Sequence, residues 1–309
     1  MSGGAADMGQ SLALRVATWG ARRFVRPMLA KTGTPEKADA SFARAAKWLF
    51  RTPPYMCHLT ETVAGRTVHW ISVGAARPRK IILYFHGGAY LSGSGATHRG
   101  MLGRIAKLSG VRVCAPDYRL LQEAPFPAAF DDAVAAWEML IARGYDPRDI
   151  ILGGDSAGGG LMLALLAYVT QRGEGPAGAF TFSPWTDLTL SGETIGCKSE
   201  AILPVARMAE AVELFLDGAA ADDPRASPLF AEFVAPPPVL IQVGTGEALV
   251  ADARRMAKTL AAAGGQVDLQ EIETDLHVFQ ILDGWVPEAR GALTQVATFV
   301  QTSLDSAKR

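Results

Sequence analysis

The run Ile81 to Phe85 reads IILYF and shows no alternation of polar and apolar residues. A strand that is apolar on both faces must be covered on both faces, as happens in a mostly parallel sheet held between two layers of helices. Similar short runs occur at Val111 to Ala115, Ile150 to Gly153, Ala179 to Ser183 and Val239 to Val243. Further strands are expected at Thr67 to Val73, at Val267 to Ile272 and near Leu59 to Val63. Between them, helical periodicity marks Arg99 to Leu108, Ala128 to Arg143, Gly159 to Arg172, Val205 to Leu216, Ala251 to Ala263 and Pro287 to Leu304. The alternation predicts a doubly wound α/β fold. A chain of 309 residues with 49% hydrophobic content can build one such core with room for a small accessory lobe.

Two segments stand outside that rhythm. Residues 184–238 separate two expected strands by 55 residues, far beyond an ordinary connection of a few residues. This insertion contains PVARMAEAVELFL and is expected to form a cap together with helices in residues 1–50, leaving 51–183 and 239–309 as the main α/β domain. Within residues 11–29, Leu14, Ala17, Ala21, Phe24, Val25 and Met28 fall on one helical face and Arg15, Trp19, Arg22 and Arg26 on another. A basic amphipathic helix can lie on a membrane or cover the mouth of an apolar site in its own protein, and the second is the expectation.

The 30 basic and 31 acidic residues are interspersed, so nothing suggests attraction to nucleic acid. Cys57, Cys114 and Cys197 are odd in number and far apart, which argues against a disulfide framework or a structural zinc site. Cys114, inside VRVCAP, is expected as a small buried hydrophobe. There is no run of 18 apolar residues and no secretory signal pattern, so stable membrane insertion is not expected and a cytoplasmic setting is. Whether the chain forms a homodimer is left open.

The chemistry is concentrated in GGDSAGGG, residues 153–160, between the apolar run Ile150 to Leu152 and the helix-forming LMLALLAYV. Gly154 to Gly158 matches G-x-S-x-G at a strand-to-helix turn, where Ser156 takes a strained backbone and projects its hydroxyl above the sheet. Gly154 and Gly158 are expected to relieve the turn, Gly159 and Gly160 to let the helix start close to the sheet, and Asp155 to brace the loop. A serine hydroxyl needs a base, and His277 is the one histidine of five that follows Ser156 in the chain. The acid that orients it should follow the penultimate strand. Glu247 is the first carboxylate there, with Asp252 as the alternative, a surface or helix-capping residue if it is not the acid. Upstream, His86-Gly87-Gly88-Ala89 follows IILYF at the place of an oxyanion loop. The backbone N–H groups of Gly87, Gly88 and Ala157 are the expected oxyanion donors, with His86 fixing the loop.

With HGGAY, DYRLLQEAPFPAAFDD and GGDSAGGG in this order, the chain resembles the bacterial hormone-sensitive-lipase-like family of α/β-hydrolase esterases from about Ile81 to the C-terminus. The resemblance implies an eight-stranded sheet, a helical cap partly from the N-terminus, and hydrolysis of short- to medium-chain carboxylic esters. It makes either Asp or Glu acceptable as the acid, and it suggests Glu123 as a brace for the oxyanion loop. Two departures stand out: Ala89 replaces the third oxyanion-loop glycine, tolerable if its backbone angles are ordinary, and Leu121-Gln122 replace Ala-Pro.

The expected activity is that of a serine carboxylesterase acting through an acyl-enzyme, with no metal and no organic cofactor. A lactonase or amidase could use the same groups, and a small-molecule-binding relative would be expected to lack one of them. Tyr90, Leu91, Trp185, Met208, Phe215, Val278 and Phe279 are the expected walls of an apolar substrate pocket.

Overall fold

The computed structural model describes residues 10–195 and 197–307, so the first nine residues of the expected cap segment lie outside it. Helices α1 (Leu12–Gly20), α2 (Arg26–Ala30) and α3 (Pro35–Leu49) open the chain, with a π-helical turn at Ala21–Val25 between the first two. Then come β1 (Met56–Val63), β2 (Arg66–Val73), β3 (Ile81–Phe85), α4 (Gly95–Ser109), β4 (Arg112–Pro116), α5 (Ala128–Ala142), β5 (Ile150–Asp155) and α6 (Ser156–Gln171). The chain continues with β6 (Gly178–Phe182), α7 (Met208–Leu216), β7 (Val239–Gly244), α8 (Val250–Ala262), β8 (Val267–Ile272) and α9 (Pro287–Ser306).

The strands form one eight-stranded sheet in the order β1-β2-β4-β3-β5-β6-β7-β8. β2 is antiparallel to both β1 and β4, and every other pairing is parallel. All residues of β3, β5, β6 and β7 are buried, as their unbroken apolar runs require. Alternate side chains enter opposite layers: Ile81, Leu83 and Phe85 join a core with α5, α6 and α8, while Ile82 and Tyr84 join one with α4 and α9. Cys114 is fully buried in the first of these.

The topology places the site. From β3 the chain crosses to β4 on one side, and from β5 it crosses to β6 on the other, so a crevice opens at the C-terminal ends of β3 and β5. Phe85 pairs with Gly154, which sets HGGAY beside DSAGG.

The N-terminal helices differ from the expected amphipathic pattern. Leu14, Thr18 and Ala21 are buried, but Phe24 and Met28 are 60% and 44% exposed, and Val25 is only partly covered. The π turn adds a residue to one helical turn and rotates the next helix about its axis, so one 3.6-residue stripe cannot continue through it. This region is tied to the insertion by polar bonds. Arg22 donates to the Ser199 carbonyl at 2.8 Å, Arg26 donates to the Glu200 carbonyl, and Arg207 donates to the Leu29 and Thr32 carbonyls; outside the insertion, Arg22 also donates to Asp275 Oδ2 at 2.6 Å.

Candidate active site

Ser156 has φ +51°, in the left-handed region, where a non-glycine residue costs roughly 1–2 kcal/mol. Close packing holds it there. A Cβ on Gly158 would lie 2.3 Å from the carbonyl oxygens of Phe85 and His86, and one on Gly160 would lie 2.1 Å from that of Trp185. The two glycines therefore let α6 abut the ends of β3 and β6, and the Trp185 N–H donates to the Ser156 carbonyl at 3.0 Å.

His277 Nε2 lies 2.8 Å from Ser156 Oγ, and His277 Nδ1 lies 2.8 Å from Glu247 Oε2. The other oxygen of Glu247 accepts from the Gly244 N–H at 2.7 Å and from Ser183 Oγ at 2.8 Å. Burial pushes the Glu247 carboxyl up from its ordinary value, and the hydrogen bond and charge of His277, with the Gly244 N–H, oppose that rise. Burial would push His277 down, but the hydrogen bond and charge of Glu247 outweigh it and hold the imidazole above its ordinary range. This arrangement suits a neutral base whose protonated form is stabilised once it has taken a proton.

Asp252 is elsewhere and is neither solvated nor a helix cap. It is buried, its carboxylate accepts from the N–H groups of Thr186 and Asp187, and it pairs with Arg255 at 2.8 Å. Burial pushes its carboxyl up to about 6. Its structural task is to pin the loop after β6.

The floor of the site carries one correction to the oxyanion donors. The N–H of Gly87 already donates to Asp155 Oδ1 at 3.0 Å, so it is not free for a substrate oxygen. Among the described residues the N–H groups of Gly88 and Ala89 have no acceptor. Asp155 also accepts from Tyr84 Oη at 2.8 Å and lies 3.4 Å from His98 Nε2, which gives the expected loop brace a full set of partners. His86 is a fixture of the same loop: its Nδ1 lies 2.9 Å from the Gly87 carbonyl, its ring stacks on Tyr118 at 4.4 Å, and Tyr118 Oη donates to its carbonyl. Burial, with His98 nearby, pushes its imidazole down to about 4, so it stays neutral.

Two further expectations give way here. Ala89 does not have ordinary backbone angles; it sits at φ +54° and Tyr90 follows at +60°. Among the described residues Glu123 makes no hydrogen bond to the Gly87 to Ala89 segment; its carboxylate accepts from Arg66 and from the Leu120 N–H. The substituted pair braces that region instead: the Leu121 N–H donates to the Tyr90 carbonyl at 2.8 Å and Gln122 Nε2 to the Leu91 carbonyl at 3.2 Å.

The expected pocket walls separate into groups. Tyr90, Trp185, Met208 and Phe215 share one apolar cluster, with Tyr90 and Phe215 stacked at 3.9 Å and 9°, and Leu91 is half-buried beside the loop. Val278 and Phe279 belong to two other clusters and are core residues. Val278 follows His277 at φ +51° and its N–H is held by Ser183 Oγ at 3.3 Å. A groove of about 440 Å³ lined by Trp70, Arg112, Arg143 and Tyr145 lies on the β1–β2 side of the sheet and shares no residue with this site.

Sequence reasoning missed two residues. Ser183 ties the Glu247 carboxylate to the His277 loop, and its position at the C-terminal end of an expected strand was the available signal. Glu200, fully buried, accepts from the N–H groups of Ile202, Leu203 and Ala248 and so fastens the insertion to the loop bearing Glu247. A glutamate in a long insertion carries no local mark of that role.

Residues 82–281 match a family model described as the alpha/beta hydrolase fold. A crystal structure of an esterase from the bacterial hormone-sensitive lipase family superposes with a TM-score of 0.90 at 35% identity, covering 96% of this chain and 100% of that one. The chain belongs to this family. An acetyl-hydrolase of Streptomyces hygroscopicus is 37% identical over 245 residues, 78% of this chain and 82% of that protein. An esterase of Acinetobacter venetianus is 36% identical over 234 residues, 74% and 77% of the two chains. This hormone-sensitive-lipase-like α/β hydrolase is accordingly a carboxylic-ester hydrolase.

Proposed function

We propose that this hydrolase cleaves short- to medium-chain carboxylic esters through an acyl-enzyme on Ser156. The observation that carries the reading is the chain Glu247–His277–Ser156, with 2.8 Å at each link. Ser156 Oγ attacks the ester carbonyl as its proton passes to His277 Nε2, and Glu247 stabilises the imidazolium. The N–H groups of Gly88 and Ala157, with that of Ala89 beside them, receive the developing oxyanion; a single such donor is worth on the order of a hundredfold in rate. His277 returns the proton to the departing alcohol, and water then releases the acid by the same steps.

The insertion and the N-terminal helices act as the cap. Tyr90, Phe215, Trp185 and Met208 supply apolar walls, and the Tyr90 hydroxyl lies 3.5 Å from where a Cβ on Gly160 would be, one helical turn from Ser156. Walls this near the nucleophile favour short acyl groups. On p-nitrophenyl esters, turnover should therefore fall steeply beyond medium chain lengths; a preference for chains of about sixteen carbons would overturn the pocket assignment. Ser156→Ala should lower kcat on the butyrate ester by about a millionfold with the fold retained, and near-normal turnover would refute the mechanism.

A further inference from the structure

The N-terminal helix has two apolar faces, and packing against the enzyme uses only one. Leu14, Thr18 and Ala21 face inward. Leu12, Val16 and Trp19, at i, i+4 and i+7, form a second stripe and are 74%, 59% and 62% exposed. Phe24 extends it, edge-on to Trp19 at 5.7 Å. An ordinary surface helix has one such face, so the outer stripe requires its own explanation.

The charge around the stripe indicates the occupant. Ser11 to Gly33 contains Arg15, Arg22, Arg23, Arg26 and Lys31 and no acidic residue. Arg22 and Arg26 turn inward to Asp275 and the Glu200 carbonyl, whereas Arg15 and Arg23 are exposed, with the Arg23 guanidinium 5.7 Å from the Phe24 ring centroid. We infer that this outer face docks the enzyme on an anionic lipid surface, with Trp19 and its apolar neighbours at the headgroup level and the exposed arginines on the lipid charges. A second copy of the chain fits less well, because a two-fold contact through this face would bring like charges together.

The position adds a functional consequence. Arg22 bonds Asp275, two residues before His277, so the helix lies over the loop that carries the base, at the same end of the sheet as Ser156. Docking would bring that end of the molecule to the lipid. No helix of the described residues is long and apolar enough to cross a membrane, so the contact is peripheral. It does not depend on which ester is cleaved.

Vesicle co-sedimentation of the full chain tests this without measuring turnover. Wild type should bind vesicles of phosphatidylcholine mixed with phosphatidylglycerol, bind phosphatidylcholine alone more weakly, and be released by salt. Val16→Glu/Trp19→Glu should lower partitioning by about tenfold or more, and Arg15→Ala/Arg23→Ala by about thirtyfold on the mixed vesicles. Both variants should hydrolyse a soluble butyrate ester at the wild-type rate, showing an intact fold. Absence of wild-type binding to the mixed vesicles, or unchanged binding by the variants, overturns the inference. So does a wild-type dimer that Val16→Glu/Trp19→Glu converts to a monomer, which would make a second copy the occupant.

Discussion

The floor of the site and its cap are built on different physics. In the floor, the buried Asp155 carboxylate accepts from Tyr84 Oη and the Gly87 N–H while His86 Nδ1 bonds the Gly87 carbonyl, and backbone atoms approach so closely that a single added methyl group has nowhere to go. In the cap, the N-terminal helix is held by pairs such as Arg22–Asp275, whose side chains are 45% and 28% exposed, and much of its apolar surface faces outward. Buried, closely packed hydrogen-bond networks have one good arrangement, whereas exposed ion pairs are worth little and tolerate rearrangement. Chemistry that needs fixed donors suits the first kind of region, and surface contacts suit the second.

Four measurements bear on that contrast. The largest effect separates two buried carboxylates, Glu247 beside His277 and Asp252 under the loop after β6. Glu247→Gln should lower kcat by about ten-thousandfold with little loss of stability, while Asp252→Asn should leave kcat near normal and destabilise the fold by about 1–3 kcal/mol, because Asp252 anchors Thr186, Asp187 and Arg255. Equal kcat losses would mean that the loop after β6 is as much a part of the chemistry as the acid. Next comes Gly158→Ala, which drives a methyl group into the Phe85 and His86 carbonyls. A loss of about a hundredfold in kcat/KM is expected, and a variant with wild-type kinetics would show that the floor yields more than its packing implies.

The third effect is a pH shift. His277 must be neutral to accept the serine proton, so activity falls as pH drops through its pKa. Because Glu247 raises that pKa against the lowering effect of burial, the acid limb of kcat/KM should lie above the ordinary value of 6.5. In Glu247→Gln burial is no longer outweighed, and the residual activity should have its limb at lower pH. A limb that stays in place would locate the titration elsewhere. The smallest effect belongs to the cap: Arg22→Ala should change stability by less than about 1 kcal/mol in thermal unfolding and kcat by less than about twofold. A larger kcat loss would show that the cap helps to position His277 through Asp275.

Much of this protein was legible from short stretches of chain. Period and composition within a few residues mark a buried strand, so the eight strands and the main helices fell where IILYF, VLIQV and their neighbours indicated, within a few residues at their ends. The turn at Ser156 was legible for the same reason, since a strained strand-to-helix turn needs small neighbours in sequence, and chain order singled out His277. What a side chain or amide bonds to depends on which distant strand ends are adjacent, and the tertiary structure alone decided that. It turned the Gly87 N–H onto Asp155, joined Ser183 and Glu200 to the loop of Glu247, and set Asp252 under the β6 loop. It also decided which apolar face of the N-terminal helix is covered, burying Leu14 and Thr18 and leaving Leu12, Val16 and Trp19 outside.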